Sequence, residues 1–184
     1  MGEVFIQLAK AAIAVSLGLD SNFDLQKARV AYPQLEQNSA TFITITKGKQ
    51  RELRGCIGSL VAHRPLYKDI IYNAQLAALK DSRFNPLTID EFQNIKIEIS
   101  ILTTPKPISY NSINELKAKV RPQIDGIVLK LGDSRATYLP SVWEQLPLFD
   151  DFFISLCKKA NLSANCLEKN PHIEIYQVEK YKEK

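Results

Sequence analysis

Ile95, Ile97, Ile99 and Ile101 alternate with Lys96, Glu98 and Ser100. A period of two puts the isoleucines on one side of a strand and predicts that residues 95–102 bury that side. Thr41-Phe42-Ile43-Thr44-Ile45-Thr46 is a second strand signal, because branched and aromatic side chains suit a pleated surface. Lys47-Gly48-Lys49-Gln50 turns the chain into Arg51–Ile57, which predicts an antiparallel hairpin. Helical spacing takes over on either side. Phe5, Leu8, Ala12, Val15 and Leu19 predict an opening helix over 3–18 that ends near Gly18. Residues 21–39 read as a connector with a short helix over 25–31, and Pro33 argues against one continuous helix. Leu66, Ile70, Ala74 and Ala77 predict a helix over 65–80, begun by Pro65.

Shorter elements follow. Thr103-Thr104-Pro105-Lys106-Pro107 closes the isoleucine strand. Ser112 and Glu115 have capping-box spacing ahead of Leu116 and Val120, and Ser141 and Glu144 repeat it after Pro140. Residues 126–131 and 134–139 predict two strands around Gly132-Asp133. A helix over 149–161 offers Phe149, Phe152, Phe153, Leu156 and Ala160 to a core. Ile173–Val178 predicts a last strand, and Glu179–Lys184 a charged tail. Hairpins mixed with helices predict an α+β fold, a mixed or antiparallel sheet packed by helices. The expected division is a larger discontinuous lobe, 1–104 and 141–184, with a smaller inserted α/β lobe at 105–140.

Composition narrows the function classes. The 184 residues are 45% hydrophobic, enough for a substantial core. No run of about 20 apolar residues predicts a membrane span, and the opening segment reads as a folded helix rather than a signal peptide. A formal charge of +4 is too mild to signal nucleic-acid binding. The densest basic run, Lys47, Lys49, Arg51 and Arg54, reads first as a solvated hairpin. Cys56, Cys157 and Cys166 are odd in number with no closely spaced pair, which predicts reduced thiols and a cytoplasmic location. His63 and His172 lie far apart in sequence, so no metal-ligand spacing is read.

Chemistry concentrates in Leu53-Arg54-Gly55-Cys56-Ile57-Gly58. If strand alternation continues, Arg54 and Cys56 share one side, with Leu53 and Ile57 apolar. Arg54 offers a planar, multidonor guanidinium for a carboxylate or phosphate, against a structural ion pair as the alternative. Cys56 is the weak catalytic candidate, a nucleophile if activated and a small buried residue otherwise. Gly55 and Gly58 permit close backbone approach to a ligand or to packed neighbours. Asp81 and Arg83 either organise the exit of helix 65–80 or join Arg54 in an anionic clamp. Glu98 is placed to orient Arg54 from a neighbouring strand, and His63 is a remote candidate base for Cys56. Asp125-Gly126 reads as a turn and Trp143 as a core anchor.

These segments together resemble the AMMECR-domain family, also called system protein A of the AmmeMemoRadiSam grouping. The resemblance rests on Leu53–Gly58, Asp81-Ser82-Arg83-Phe84-Asn85-Pro86, Glu98-Ile99-Ser100, Asp125-Gly126, Leu139-Pro140-Ser141-Val142-Trp143 and Lys159-Ala160-Asn161-Leu162. It spans nearly the whole chain. The resemblance implies an intracellular α+β protein with a larger and a smaller lobe. It also implies an association with Memo-like and radical-SAM proteins, and it carries over neither a catalytic residue nor a cofactor. Asn161 stands where related sequences often have glycine, which bears on the geometry of that helix end. The expected ligand is a small anionic molecule in an enzyme-associated role; the other reading is a noncatalytic interaction or scaffold domain.

Overall fold

The computed structural model describes residues 1–183. In chain order the elements are α1 (Gly2–Ser16), α2 (Leu25–Ala31), β1 (Ala40–Lys47), β2 (Glu52–Gly58), α3 (Leu66–Leu79), α4 (Ile89–Phe92), β3 (Ile95–Leu102), β4 (Lys106–Ile108), α5 (Ile113–Lys119), β5 (Gly126–Leu131), β6 (Ser134–Tyr138), α6 (Phe149–Lys159), β7 (His172–Tyr176) and β8 (Val178–Lys182). Short 3-10 turns occupy Pro33–Glu36, Pro140–Glu144 and Cys166–Lys169. The fold is α+β, in two compact units: Met1–Leu102 with Glu179–Lys184, and Thr103–Val178.

The first unit is built on a four-stranded sheet in the order β2-β1-β3-β8. β1 runs antiparallel to β2 and to β3, and Thr44 faces Cys56 on one side and Glu98 on the other. Ile43, Ile45, Ile97 and Ile99 are buried with Phe5, Leu8 and Ile13 of α1 and Ile70 and Ala74 of α3. Burying each isoleucine stabilises the fold by about 1.5–3 kcal/mol, which makes this side of the sheet the foundation of the unit. The expected charged tail is instead part of this sheet. Lys182 pairs with Glu98 at 2.9 Å, Glu183 N–H donates to the Ile97 carbonyl at 2.9 Å, and Lys10 meets the Glu183 carboxylate at 2.6 Å. Lys182 and Glu183 are thus both engaged by partners in the first unit, which a run of charges conceals. Tyr181 packs edge-on against Phe5.

A buried carboxylate anchors the start of β1. Asp69, on α3, accepts from the Thr41 N–H and the Thr41 hydroxyl, both at 2.8 Å. Its other oxygen accepts from the Ser59 hydroxyl at 2.8 Å, with Arg64 at 3.2 Å. Asn73, one turn along α3, donates to Asp69 at 2.9 Å. Burying this carboxylate is tolerable because both oxygens are fully engaged.

The second unit has a sheet in the order β4-β7-β5-β6, antiparallel throughout. Ile127, Leu129 and Ile173 pack on Trp143, Phe152, Phe153 and Leu156. Trp143 and Phe152 stack at 3.6 Å between ring centroids, and the indole N–H donates to the Asp125 carbonyl at 2.9 Å. The expected lobe boundary at 140 does not divide this core. α6 and β7 supply much of it, so the unit runs on to Val178.

Cys157 and Cys166 form a disulfide with their Cα atoms 5.9 Å apart, which corrects the expectation of three reduced thiols. Nine positions separate them in sequence, but α6 ends between them and the chain folds back, bringing both side chains into the core. The reversal occurs at Asn161, which adopts the left-handed conformation at φ 58°. Leu162 N–H bonds to the Cys157 carbonyl and Asn161 N–H to that of Lys158, the two bonds that close a helix in a Schellman arrangement. The two S-x-x-E signals behave differently from the expected boxes. Ser112 caps α5 through the Glu115 N–H, but the Glu115 carboxylate takes the Asn111 N–H; Pro140–Glu144 has no side-chain cap. A full capping box instead joins Thr88 and Glu91 on α4.

Candidate functional site

A β-bulge sets the geometry of the motif. Ile45 pairs with Gly55, but Thr46 pairs with Leu53, so Arg54 is an extra residue in β2. The expected common side for Arg54 and Cys56 therefore does not form. Cys56 stands beside Thr44, with its sulfur 3.4 Å from the threonine hydroxyl, while Arg54 turns toward the residues that follow α3.

Arg54 is only 6% exposed. Its Nε and Nη2 donate to the two oxygens of Glu91, each at 2.9 Å, and Nη2 also donates to the Asn85 carbonyl at 2.9 Å. The Arg54 guanidinium holds the Glu91 carboxyl down at about 2, assisted by the Thr88 N–H and Lys47. Glu98, expected to orient Arg54, is engaged by Lys182 instead. Glu91 takes that role. The sequence signal that could have found it is Thr88-Ile89-Asp90-Glu91, whose spacing is that of a capping box. Glu91 uses one carboxylate for two tasks, capping α4 and fixing Arg54.

Asp81 and Arg83 are held together and to Cys56. Arg83 donates from Nε and Nη2 to both Asp81 oxygens at 2.9 and 2.7 Å. Asp81 accepts the Cys56 N–H at 2.8 Å, and Arg83 Nη2 reaches the Cys56 carbonyl at 3.2 Å. The bound guanidinium keeps the Asp81 carboxyl well below its ordinary range, against the opposing effect of burial. These bonds fasten the segment after α3 along β2. Its next residues, Phe84, Asn85 and Pro86, then stand over Arg54.

Together with Lys47, Leu53, Thr88 and Glu91 they line a hollow of about 430 Å³. Cys56, Asp81 and Arg83 fasten one wall of this hollow without lining it. Among the described residues Arg54 Nη1 has no hydrogen-bond partner, so one edge of the guanidinium stays free while the rest is fixed. Lys47 stands 3.5 Å from Glu91 at the same hollow. A larger groove of about 720 Å³ runs along α1 and α2 and touches no residue of the motif.

The glycines serve packing. A Cβ on Gly55 would collide with the carbonyl oxygen of Ala77 on α3, and one on Gly58 would meet the Phe42 ring and the Thr41 carbonyl. His63, the remote base candidate, is exposed and held by the Val61 carbonyl and by Arg64, each at 2.8 Å, not by Cys56. Among the described residues no group of three or more His, Cys, Asp or Glu could hold a metal ion, and no helix is long and apolar enough to cross a membrane.

Comparison with known proteins gives one consistent picture. The family model described as AMMECR1 matches residues 6–181. A protein from Thermofilum pendens is 33% identical over 174 residues, covering 88% of this chain and 79% of its own. One from Methanosarcina mazei is 32% identical over 186 residues, covering 100% and 92%. The crystal structure of the uncharacterized protein PH0010 from Pyrococcus horikoshii superposes with a TM-score of 0.77 at 28% identity, covering 100% of this chain and 91% of that one.

Proposed function

Since this chain belongs to the AMMECR1 family, we propose that it is a binding member of that family, one that holds a small anionic molecule in the hollow beside Arg54. The observation that carries this reading is the half-committed guanidinium. Glu91 and the Asn85 carbonyl fix its orientation, its Nη1 donates to no partner among the described residues, and Arg54 lines a hollow large enough for a metabolite. Lys47 adds a positive charge to the lining, and Phe84 and Pro86 offer apolar surface for the uncharged part of a ligand. Asp81, Arg83 and the Cys56 backbone act as positioning groups, because they hold the Phe84–Pro86 wall in place.

The enzyme-associated part of the reading comes from the family's association with Memo-like and radical-SAM proteins. In that setting the bound anion is a substrate or product of a partner enzyme, and a cytoplasmic site of action belongs to the same reading. The Cys157–Cys166 bridge is compatible with it, since both sulfurs are buried away from soluble thiols. Calorimetric titration with a panel of small carboxylates and phosphates tests the site. Arg54→Lys keeps the charge beside Glu91 but loses the fork, and Lys47→Gln removes the lysine charge from the lining and its contact with Glu91. Both should weaken a bound anion, Arg54→Lys by about tenfold. Equal affinities in wild type and both variants, or saturation by none of the panel, would remove Arg54 from the role.

A second reading has its own observation. Leu53, Leu60 and Val61 expose 42–48% of their surface beside the motif, and Ser59 and Arg64 of the same loop are pinned by Asp69. A loop anchored at both ends and displaying aliphatic side chains suits a noncatalytic protein-interaction domain. Leu60→Asp and Val61→Asp should abolish association with a partner protein while leaving anion titrations unchanged.

A further inference from the structure

We propose that the second unit carries a separate site for a short aliphatic amine, formed by α5, α6 and the Cys166–Lys169 turn. Ile113, Phe153, Ile154 and Leu167 give a hollow of about 270 Å³ an apolar lining, and Asp150 and Glu168 supply its charged groups. Ile113 and Ile154 are 37% and 38% exposed, so hydrocarbon remains in water where a ligand chain would cover it. The volume lies just below the drug-sized range of about 300–1,000 Å³, which favours a short chain over a ring system.

Charge selects the head group. The lining contains two carboxylates and no cation. Among the described residues Asp150 makes no ion pair or hydrogen bond through its carboxylate, and Glu168 accepts only from the Asn165 amide at 2.9 Å. Lys117, on α5, lies over the Phe149 ring at 5.6 Å. An ammonium in this hollow therefore meets carboxylates that no cation of the lining neutralises, while its hydrocarbon tail covers the isoleucines; a carboxylate ligand would be repelled. The position of Asp150 in the first turn of α6 also stabilises the helix dipole, but that accounts for neither Glu168 nor the uncovered apolar surface.

The site is also held open in advance. The disulfide ties the turn bearing Leu167 and Glu168 to the helix bearing Asp150, Phe153 and Ile154. Walls fixed by a covalent bond need little ordering when a ligand enters, so a small molecule can bind with few contacts.

Titration of the full oxidised chain with hexylamine, hexanol and hexanoate, followed by amide NMR, tests the proposal. Hexylammonium should saturate, with shifts concentrated around Ile113, Ile154 and Leu167. Hexanol should bind about tenfold more weakly and hexanoate weaker still, and Asp150→Asn with Glu168→Gln should bring hexylammonium to the level of hexanol. Both carboxylates are at the surface, and the comparison among the three compounds on wild type requires no variant. Equal responses to hexylamine and hexanol, shifts located elsewhere, or no saturation by about 20 mM would overturn it.

Discussion

Gly55 and Ala77 are in backbone contact: the Ala77 carbonyl carbon lies 3.1 Å from where a Cβ on Gly55 would stand, and its oxygen lies closer still. β2 thus rests directly on α3 with no side chain between them. Gly55→Ala should destabilise the chain by about 3 kcal/mol, the upper end for overpacking against rigid backbone, read as a lower urea midpoint at unchanged slope. Gly58→Ala also meets backbone, the Thr41 carbonyl at 2.6 Å, and should be destabilising too. Wild-type midpoints in both variants would show that neither contact constrains the hairpin.

Acid should weaken the Arg54–Glu91 pair over a defined range. Glu91 falls from its ordinary 4.5 to about 2 because Arg54 binds its charged form. Its folded value is depressed, so its contribution is complete above about pH 4.5 and is lost as pH falls toward 2. With Glu91 partly exposed, solvent screening leaves that contribution near 2 kcal/mol. Urea midpoints measured from pH 5 to 2.5 should fall more steeply for wild type than for Glu91→Gln. Parallel curves would place the pair's energetic weight near zero.

The cysteines predict a labelling pattern. Cys56 is the free thiol and the other two form the bridge. Denatured, unreduced chain should take up one iodoacetamide group, and three after reduction. Closing a loop of this length is worth about 2–3 kcal/mol, so the Cys157→Ser, Cys166→Ser double variant should unfold at correspondingly lower urea. Three groups without reduction would show the bridge to be absent.

At Asn161 the left-handed backbone favours glycine or asparagine over other residues. Asn161→Ala should cost about 1 kcal/mol and Asn161→Gly should be near neutral, by thermal or urea unfolding. An alanine variant as stable as wild type would mean that the helix end tolerates a different reversal.

The isoleucine alternation and the 41–57 hairpin were legible because one buried side imposes a period that survives in sequence. β8 was hidden because its partners, Glu98 and Ile97, lie about eighty residues away and its own residues are mostly charged. At the site, residue types were readable but register was not: one inserted residue at Arg54 separates it from Cys56, and no local pattern announces a bulge. Glu91 escaped notice because its sequence context signals a helix cap, and its second partner comes from β2. The disulfide depended on a helix ending at Asn161 between its two cysteines.

The fastening of Asp81 and Arg83 to Cys56 has a consequence for how the molecule behaves in company. β2 is one of the two edge strands of its sheet, and an edge strand offers unpaired N–H and C=O groups to any passing chain. At Cys56 a carboxylate occupies the N–H and a guanidinium the C=O, together imitating the two hydrogen bonds of a neighbouring strand. The β2 edge is therefore terminated by an ion pair at this position. A second molecule has no open backbone groups at Cys56 on which to extend it.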